Sequence, residues 1–286
     1  MRENPSIYSF EYYQRIFELE EKHWWYLGMR EIARQLIERY RAQGNGLCIL
    51  DAGCGTGMML SWLEKYSRPQ STVGIDISSH AIKFCQGRET ALLAQAAVTH
   101  LPFQSGTFDL VVCNDVIQHL PKDGGDSRAL AEMYRVLKPK GFLLLRSNAR
   151  LKKNSEVDER DFDFHRYTLA ELKYKLAATG FLIEQATYAN FLPSLYGTFR
   201  GWLNATINSS GYQGLGIQMP PWRWLNRLLY FVLRGEAKYL SRRQRSLPFG
   251  HTTICFAKKP GLQWQGGGFG RSEPSARNRG KAWSEA

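Results

Sequence analysis

The stretch "CILDAGCGTG", residues 48–57, decides the fold. An apolar run that reads as strand ends on Asp51 and enters Gly53, Gly55 and Gly57, separated by single residues. Glycines at that density strip a turn of side chains, so that a ligand can lie against the backbone. Met59, Leu60, Leu63 and Tyr66 then recur on one helical stripe. The opening unit is therefore strand, glycine turn, helix.

Outward from this unit, short apolar runs alternate with helical patterns. Residues 8–22 and 28–41 read as helices joined by "KHWWYLG". "TVGID" (72–76) is a strand ending on an acid, and Ser78 or Ser79 caps the helix after it. "LLAQAAV" (92–98), "FDLVVCN" (108–114) and "FLLLRS" (142–147) are further strands; 127–138 is a helix, and "KPKG" a turn. "TLAE" (168–171) has the form of a capping box that opens a helix ending at Gly180. "FLIEQATY" (181–188) and "HTTICFAKK" (251–259) are late strands. The alternation predicts an α/β fold with a mostly parallel sheet covered on both faces. Three parts are expected: an N-terminal helical lid (1–45), the sheet domain (46–260) with a helical insertion at about 189–250, and a Gly/Ser/Arg-rich disordered tail (261–286).

The 286 residues, 43% hydrophobic, suffice for a sizeable core. The five cysteines (48, 54, 85, 113, 255) form no C-x-x-C pair, so neither a zinc site nor a disulfide framework is indicated and no metal is expected. A reducing, cytoplasmic setting follows. The first 25 residues show no signal-peptide pattern, and "LLYFVL" (228–233), the longest apolar run of the second half, is far short of a membrane span. A net charge of +12 favours anionic surfaces without choosing among them.

In an open α/β sheet, ligands bind at the carboxyl ends of the strands, which puts the glycine turn in the site. A P-loop would end in Gly-Lys-Ser/Thr, whereas Met58 and Met59 follow Gly57. The dinucleotide spacing G-x-G-x-x-G fails as well, and Asp51 would repel a pyrophosphate. A ligand with a cationic end removes that conflict. Asp76, 25 residues after Asp51, ends the next strand, where an acid can accept hydrogen bonds from both hydroxyls of a ribose. Two acids and a phosphate-free glycine turn fit S-adenosylmethionine.

"LDAGCGTG", the acid of "GIDIS", "LPFQSGTFDLVVCNDVIQHL" and "EMYRVLKPKGFLLL" resemble the class I methyltransferases, in the type 11 group that includes the ubiquinone- and menaquinone-type and natural-product enzymes. The resemblance covers about residues 45–150. It implies a Rossmann-like, seven-stranded sheet closed by an antiparallel pair, with a helical insertion before the last strand. It also implies S-adenosyl-L-methionine lying on Gly53, Gly55 and Gly57, with Asp51 near its amino end, Asp76 on the ribose and Ile77 on the adenine. Relatives often place an Asp before "LPF" against the adenine. This chain has Ala97 and Val98 there, which leaves backbone groups for that contact. Asn114 ends the fourth strand, near the reacting methyl.

The acceptor is less constrained, because the cofactor supplies the activated methyl and the protein supplies position. "NDVIQHL" lacks the Pro-Pro run of many enzymes that methylate bases or Gln. His119 follows the fourth strand and is a candidate base near neutrality, against the alternative of a structural histidine. "DERDFDFHRYT" (158–168) follows the fifth strand. It offers His165 as a second candidate base, with Arg166 and Tyr167 to orient an acidic or hydroxylated substrate, unless the loop is merely solvated. Trp25, with Trp24 and Arg30, belongs to the lid.

On a helical wheel of residues 220–245, Arg223, Arg227, Arg234, Lys238, Arg242 and Arg245 share one sector, opposite Leu225, Leu228, Leu229, Val232, Leu233 and Leu240. Such a helix either roofs the substrate site with its cations in solvent or lies on an anionic membrane. The expected function is methylation of a small apolar or aromatic metabolite, with no nucleic acid partner. The alternatives are a lipid or prenylated acceptor met at the inner membrane face, an RNA or protein methyltransferase, and an inactive adaptor.

Overall fold

The computed structural model describes residues 8–40, 46–88, 92–121, 123–150, 165–195, 219–242 and 245–261. The tail from 262, residues 158–164 of the predicted substrate loop and residues 196–218 of the insertion lie outside these.

The strands β1 (Leu47–Ala52), β2 (Ser67–Asp76), β3 (Leu92–Gln95), β4 (Phe108–Asn114), β5 (Leu137–Asn148), β6 (Leu182–Ala189) and β7 (Thr252–Lys258) form one sheet in the order β3-β2-β1-β4-β5-β7-β6. β1 to β5 run parallel, and β7 lies antiparallel between β5 and β6. The helices are α1 (Phe10–Leu19), α2 (Trp24–Tyr40), α3 (Met58–Leu63), α4 (Ser79–Gln86), α5 (Gly125–Val136), α6 (Leu169–Thr179) and α7 (Arg223–Leu240).

Alternate strand residues supply two cores, one on each face of the sheet. Leu50, Val111, Leu143, Leu145 and Cys255 point to the side of α5 and α6, where Leu130, Met133, Leu172 and Leu176 meet them. Ile49, Leu110, Val112, Leu144, Ile254 and Phe256 point to the side of α2 and α7. Burial on both faces explains why these strands read as apolar runs without alternation. Each fully buried Leu or Ile contributes about 1.5–3 kcal/mol over its exposed state.

Local signals place the helix ends. The Ser78 hydroxyl accepts from Ala81 N and caps α4. Thr168 and Glu171 close the capping box of α6, and Gly180 ends it at φ 102°. Three expectations change. The "WWYLG" connector is helix: α2 begins at Trp24, whose N–H donates to Asn226 Oδ1 at 2.9 Å, a cap supplied from 202 residues away. The "KPKG" turn is an irregularity inside β5, with Lys140 at φ 67° and a register shift against β4. β3 ends at Gln95; one more bond, from Ala96 N to Asp76 O at 3.0 Å, follows it, and Ala97 and Val98 then leave the ladder. Among the described residues no helix is long and apolar enough to cross a membrane.

The chain runs outward from β1 to β3 and returns to β4, so the strand order reverses between β1 and β4. The crevice at the carboxyl ends of those two strands is where the site must form.

Candidate active site

A cavity of about 830 Å³ opens at this reversal, walled by the loops after β1, β2 and β4 and by α1 and α2. On its floor, the Gly53 and Cys54 N–H groups donate to Ile75 O at 2.8 Å, pinning the glycine turn to β2. All three glycines have positive φ: 89° at Gly53, 54° at Gly55 and 86° at Gly57. Their roles differ. A Cβ on Gly53 would overlap Val116, and one on Gly57 would sit 2.5 Å from Cys85 Sγ, whereas one on Gly55 would meet nothing within 4 Å. Gly53 and Gly57 are thus required by packing. Gly55 keeps cavity space open above the main chain. Gly57 lies outside the cavity wall.

The two acids stand beside the turn. Asp51 is 1% exposed and its Oδ2 has no hydrogen-bond partner among the described residues. Burial, then the neighbouring charge of Asp76, pushes its carboxyl up to about 7. Asp76 is held by backbone: Gly55 N donates to Oδ2 at 3.0 Å and Ser78 N to Oδ1 at 2.9 Å. Burial raises its pKa against those hydrogen bonds. A buried, unpartnered carboxylate oxygen requires a donor or a cation. Asp51 meets that description, and with Asp76 beside it the pair rejects a pyrophosphate and suits S-adenosylmethionine, whose amino group and sulfonium are cationic. Asp51, Gly53, Gly55 and Asp76 would hold it, with Ile77, 59% exposed at the rim, and Ala97 and Val98 in the wall beyond β3.

More of the N-terminal helices lines the cavity than Trp25 and Arg30. Tyr8, then Tyr12, Tyr13 and Ile16 of α1 and Glu20 just after it, join Trp25, Tyr26 and Arg30 of α2 in the wall. Glu20 Oε1 accepts from Thr56 Oγ1 at 2.6 Å and from Arg88 Nη2 at 2.7 Å, and Arg88 Nε donates to Thr56 O at 2.9 Å. The lid is therefore latched to the glycine turn itself. Burial raises the Glu20 pKa against these bonds. The stripe Tyr12, Tyr13, Ile16 and Phe17 carried a signal for α1 as a covering helix. Nothing local pointed to Glu20 or Arg88.

At the other end lie Asn114, Asp115 and His119, after β4. Asp115, at φ 57°, receives the Arg146 Nε at 3.0 and 3.2 Å, and the Arg146 guanidinium lies 4.9 Å from the Trp25 ring centre. Gln118 is buried. Its Oε1 accepts from Ser147 Oγ and Asn148 N, both at 2.8 Å, and its Nε2 lies 3.5 Å from His119 Nε2. Asp115, Gln118 and Arg146 were not singled out from sequence, because tertiary pairing defines them.

The candidates from the loop before α6 stand elsewhere. His165, Arg166 and Tyr167 are outside the cavity wall. The His165 N–H donates to Gln118 O at 3.1 Å, and its ring packs on Tyr167. Tyr167 is 2% exposed and its hydroxyl donates to Asp126 Oδ2 at 2.9 Å, which ties β5 to α5. Tyr167 also forms a short parallel bridge with Ala149, at the end of β5.

Residues 50–145 match the family model described as "Methyltransferase domain". The chain is 32% identical over 149 residues to an uncharacterized protein of Methanocaldococcus jannaschii, an overlap of 52% of this chain and 60% of that one. It is 32% identical over 148 residues to the phthiotriol/phenolphthiotriol dimycocerosates methyltransferase of Mycobacterium leprae, covering 49% of this chain and 52% of the relative. The chain thus spans between half and three fifths of these relatives' length. Its fold matches a Haloferax volcanii protein solved in complex with the methyltransferase activator Trm112, with a TM-score of 0.56 at 18% identity, over 88% of this chain and 96% of that one. With the sheet order, the glycine turn and its two acids on the same stretch, residues 50–145 are a methyltransferase domain of the class I, S-adenosylmethionine-dependent family.

Proposed function

We propose that this chain transfers a methyl group from S-adenosylmethionine to a small apolar or aromatic acceptor. The observation that carries this reading is the aromatic wall of the cavity. Tyr12, Tyr13, Trp25 and Tyr26 face the glycine turn and its acids across a space of about 830 Å³. That volume is at the upper end for a single ligand, consistent with a cofactor and a second molecule together.

When bound, S-adenosylmethionine supplies a methyl activated on a sulfonium. The protein's own work is positioning and exclusion of water. Asp76 and Gly55 fix one end of the cofactor site, and the Glu20–Thr56–Arg88 latch closes α1 over it. Asp115 neutralises Arg146 under Trp25, so the acceptor end presents an aromatic face and no unpaired charge from this couple. His119 stands in the wall beside Asn114 and takes the acceptor's proton where the acceptor is a hydroxyl or an ammonium.

The test is transfer of labelled methyl to a panel of phenols, quinols, amines, fatty acids and tRNA. Turnover of an aromatic or apolar member, with His119→Gln reducing kcat by about 10²–10⁴, supports the reading. Turnover confined to tRNA would overturn it.

A further inference from the structure

We propose that the outward face of α7 is a docking surface for an anionic lipid bilayer. The two-sided helical wheel expected from sequence is three-sided in the fold. Leu233, Ala237 and Leu240 are buried against α2, but Leu228 points outward with Trp224 and Phe231. Trp224 is 61% exposed, Phe231 59% and Leu228 51%, and Trp222, 56% exposed, stacks on Trp224 with ring centres 5.8 Å apart. Arg223, Arg227, Arg234 and Lys238 occupy the adjoining sector, also exposed. Glu236, the one acid of α7, is on the buried side, where it accepts from Asn190 N at 2.9 Å and Leu192 N at 3.2 Å. The outward face of α7 is therefore a row of large apolar side chains beside four cations, with no acid from α7 itself; Glu31 of α2 lies within electrostatic reach of Arg234.

An anionic bilayer matches both halves of that face. Rings and Leu enter the headgroup boundary while guanidinium groups meet lipid phosphates. A second copy of the chain matches poorly, because a two-fold contact would set these cations against their own copies. Folded RNA would pair the cations and leave the apolar row in water; only unpaired bases stacking on the tryptophans would use it.

The position of α7 gives the surface a use. Asn226 accepts from Trp24 N at 2.9 Å and donates to Lys22 O at 2.8 Å, and Gly28 of α2 lies flush against Leu233. The same turn of α2 carries Trp25, Tyr26 and Arg30 into the cavity wall. A bilayer held on α7 therefore lies one helix away from the acceptor site, within reach of an acceptor carried in the membrane. Only this last clause rests on the proposed function; the docking does not.

The experiment is co-sedimentation of the full chain with vesicles of phosphatidylcholine and phosphatidylglycerol, against phosphatidylcholine alone. It uses wild type, Trp224→Ala/Phe231→Ala and Arg227→Glu/Arg234→Glu, each checked by circular dichroism and S-adenosylhomocysteine binding. The four replaced side chains are exposed and outside the cavity wall, and Leu233, Ala237 and Leu240, which pack against α2, are retained, so cofactor binding is expected unchanged. Wild type should partition to the anionic vesicles only, and each double variant should lose about tenfold or more. Equal binding by all three proteins, or none by folded wild type, overturns the proposal. So does an RNA gel shift or a dimer that depends on these residues in a protein that ignores vesicles.

Discussion

The carboxylate of Glu20 and the hydroxyl of Thr56 meet at 2.6 Å, joining the end of the α1 segment to the middle of the glycine turn. Arg88 shares the same carboxylate oxygen at 2.7 Å. Lid and cofactor turn are thus one hydrogen-bonded unit. Thr56→Val is expected to destabilise the fold by about 1–3 kcal/mol, because it leaves a buried carboxylate short of a donor. It should also weaken S-adenosylhomocysteine binding, since α1 carries much of the cavity wall. Urea unfolding and calorimetric titration read the two effects separately.

The three glycines should separate on substitution. Gly53→Ala and Gly57→Ala put a methyl into Val116 and Cys85 at positive φ, so the expected result is loss of stability by about 2–4 kcal/mol. Gly55→Ala puts its methyl into the open cavity, at a φ of 54° that costs about 1–2 kcal/mol. Its thermal midpoint should fall least of the three, while its affinity for S-adenosylhomocysteine should fall by tenfold or more.

Asp51 predicts a pH signature. Its folded pKa, about 7, lies above its ordinary value, so between roughly pH 4 and 7 the folded state binds more protons than the unfolded chain. Its contribution to the stability of the ligand-free protein is therefore present at low pH and is lost as pH rises through about 7. A cationic ligand prefers the ionised form, so affinity should rise over the same range. Thermal melts and titrations from pH 5.5 to 8.5 should show both slopes in wild type, and both reduced in Asp51→Asn.

Tyr167 should behave as a structural residue. Tyr167→Phe removes the donor to Asp126 Oδ2 and leaves Lys175, at 2.9 Å, as its side-chain cation. A loss of about 1–2 kcal/mol in unfolding free energy, with unchanged cofactor affinity, is expected.

What the sequence made legible follows from how local each signal is. Apolar strand runs, the Thr168–Glu171 capping box and the glycine turn are fixed by neighbours in the chain, and the fold contains each of them. Asp51 and Asp76 were legible because strand ends at a reversal of strand order are a positional rule. The residues that escaped notice, Glu20, Arg88, Asp115 and Arg146, act through hydrogen-bond partners between 31 and 68 residues away. The cap of α2 by Asn226 is the extreme case. The substrate roles expected for His165, Arg166 and Tyr167 followed from their position after a strand end. None of the three lines the cavity, and the Ala149–Tyr167 bridge that holds Tyr167 leaves no periodic trace in the sequence.

The two acids and the glycine turn form the proposed S-adenosylmethionine site. Calorimetric titration of the purified chain with S-adenosylhomocysteine, with NAD as comparator and Asp76→Ala as control, tests it most directly. Micromolar binding by wild type, lost in Asp76→Ala, with NAD silent, is the predicted result. A folded protein that binds neither compound, or that binds NAD at the same site, would rule out an S-adenosylmethionine site here.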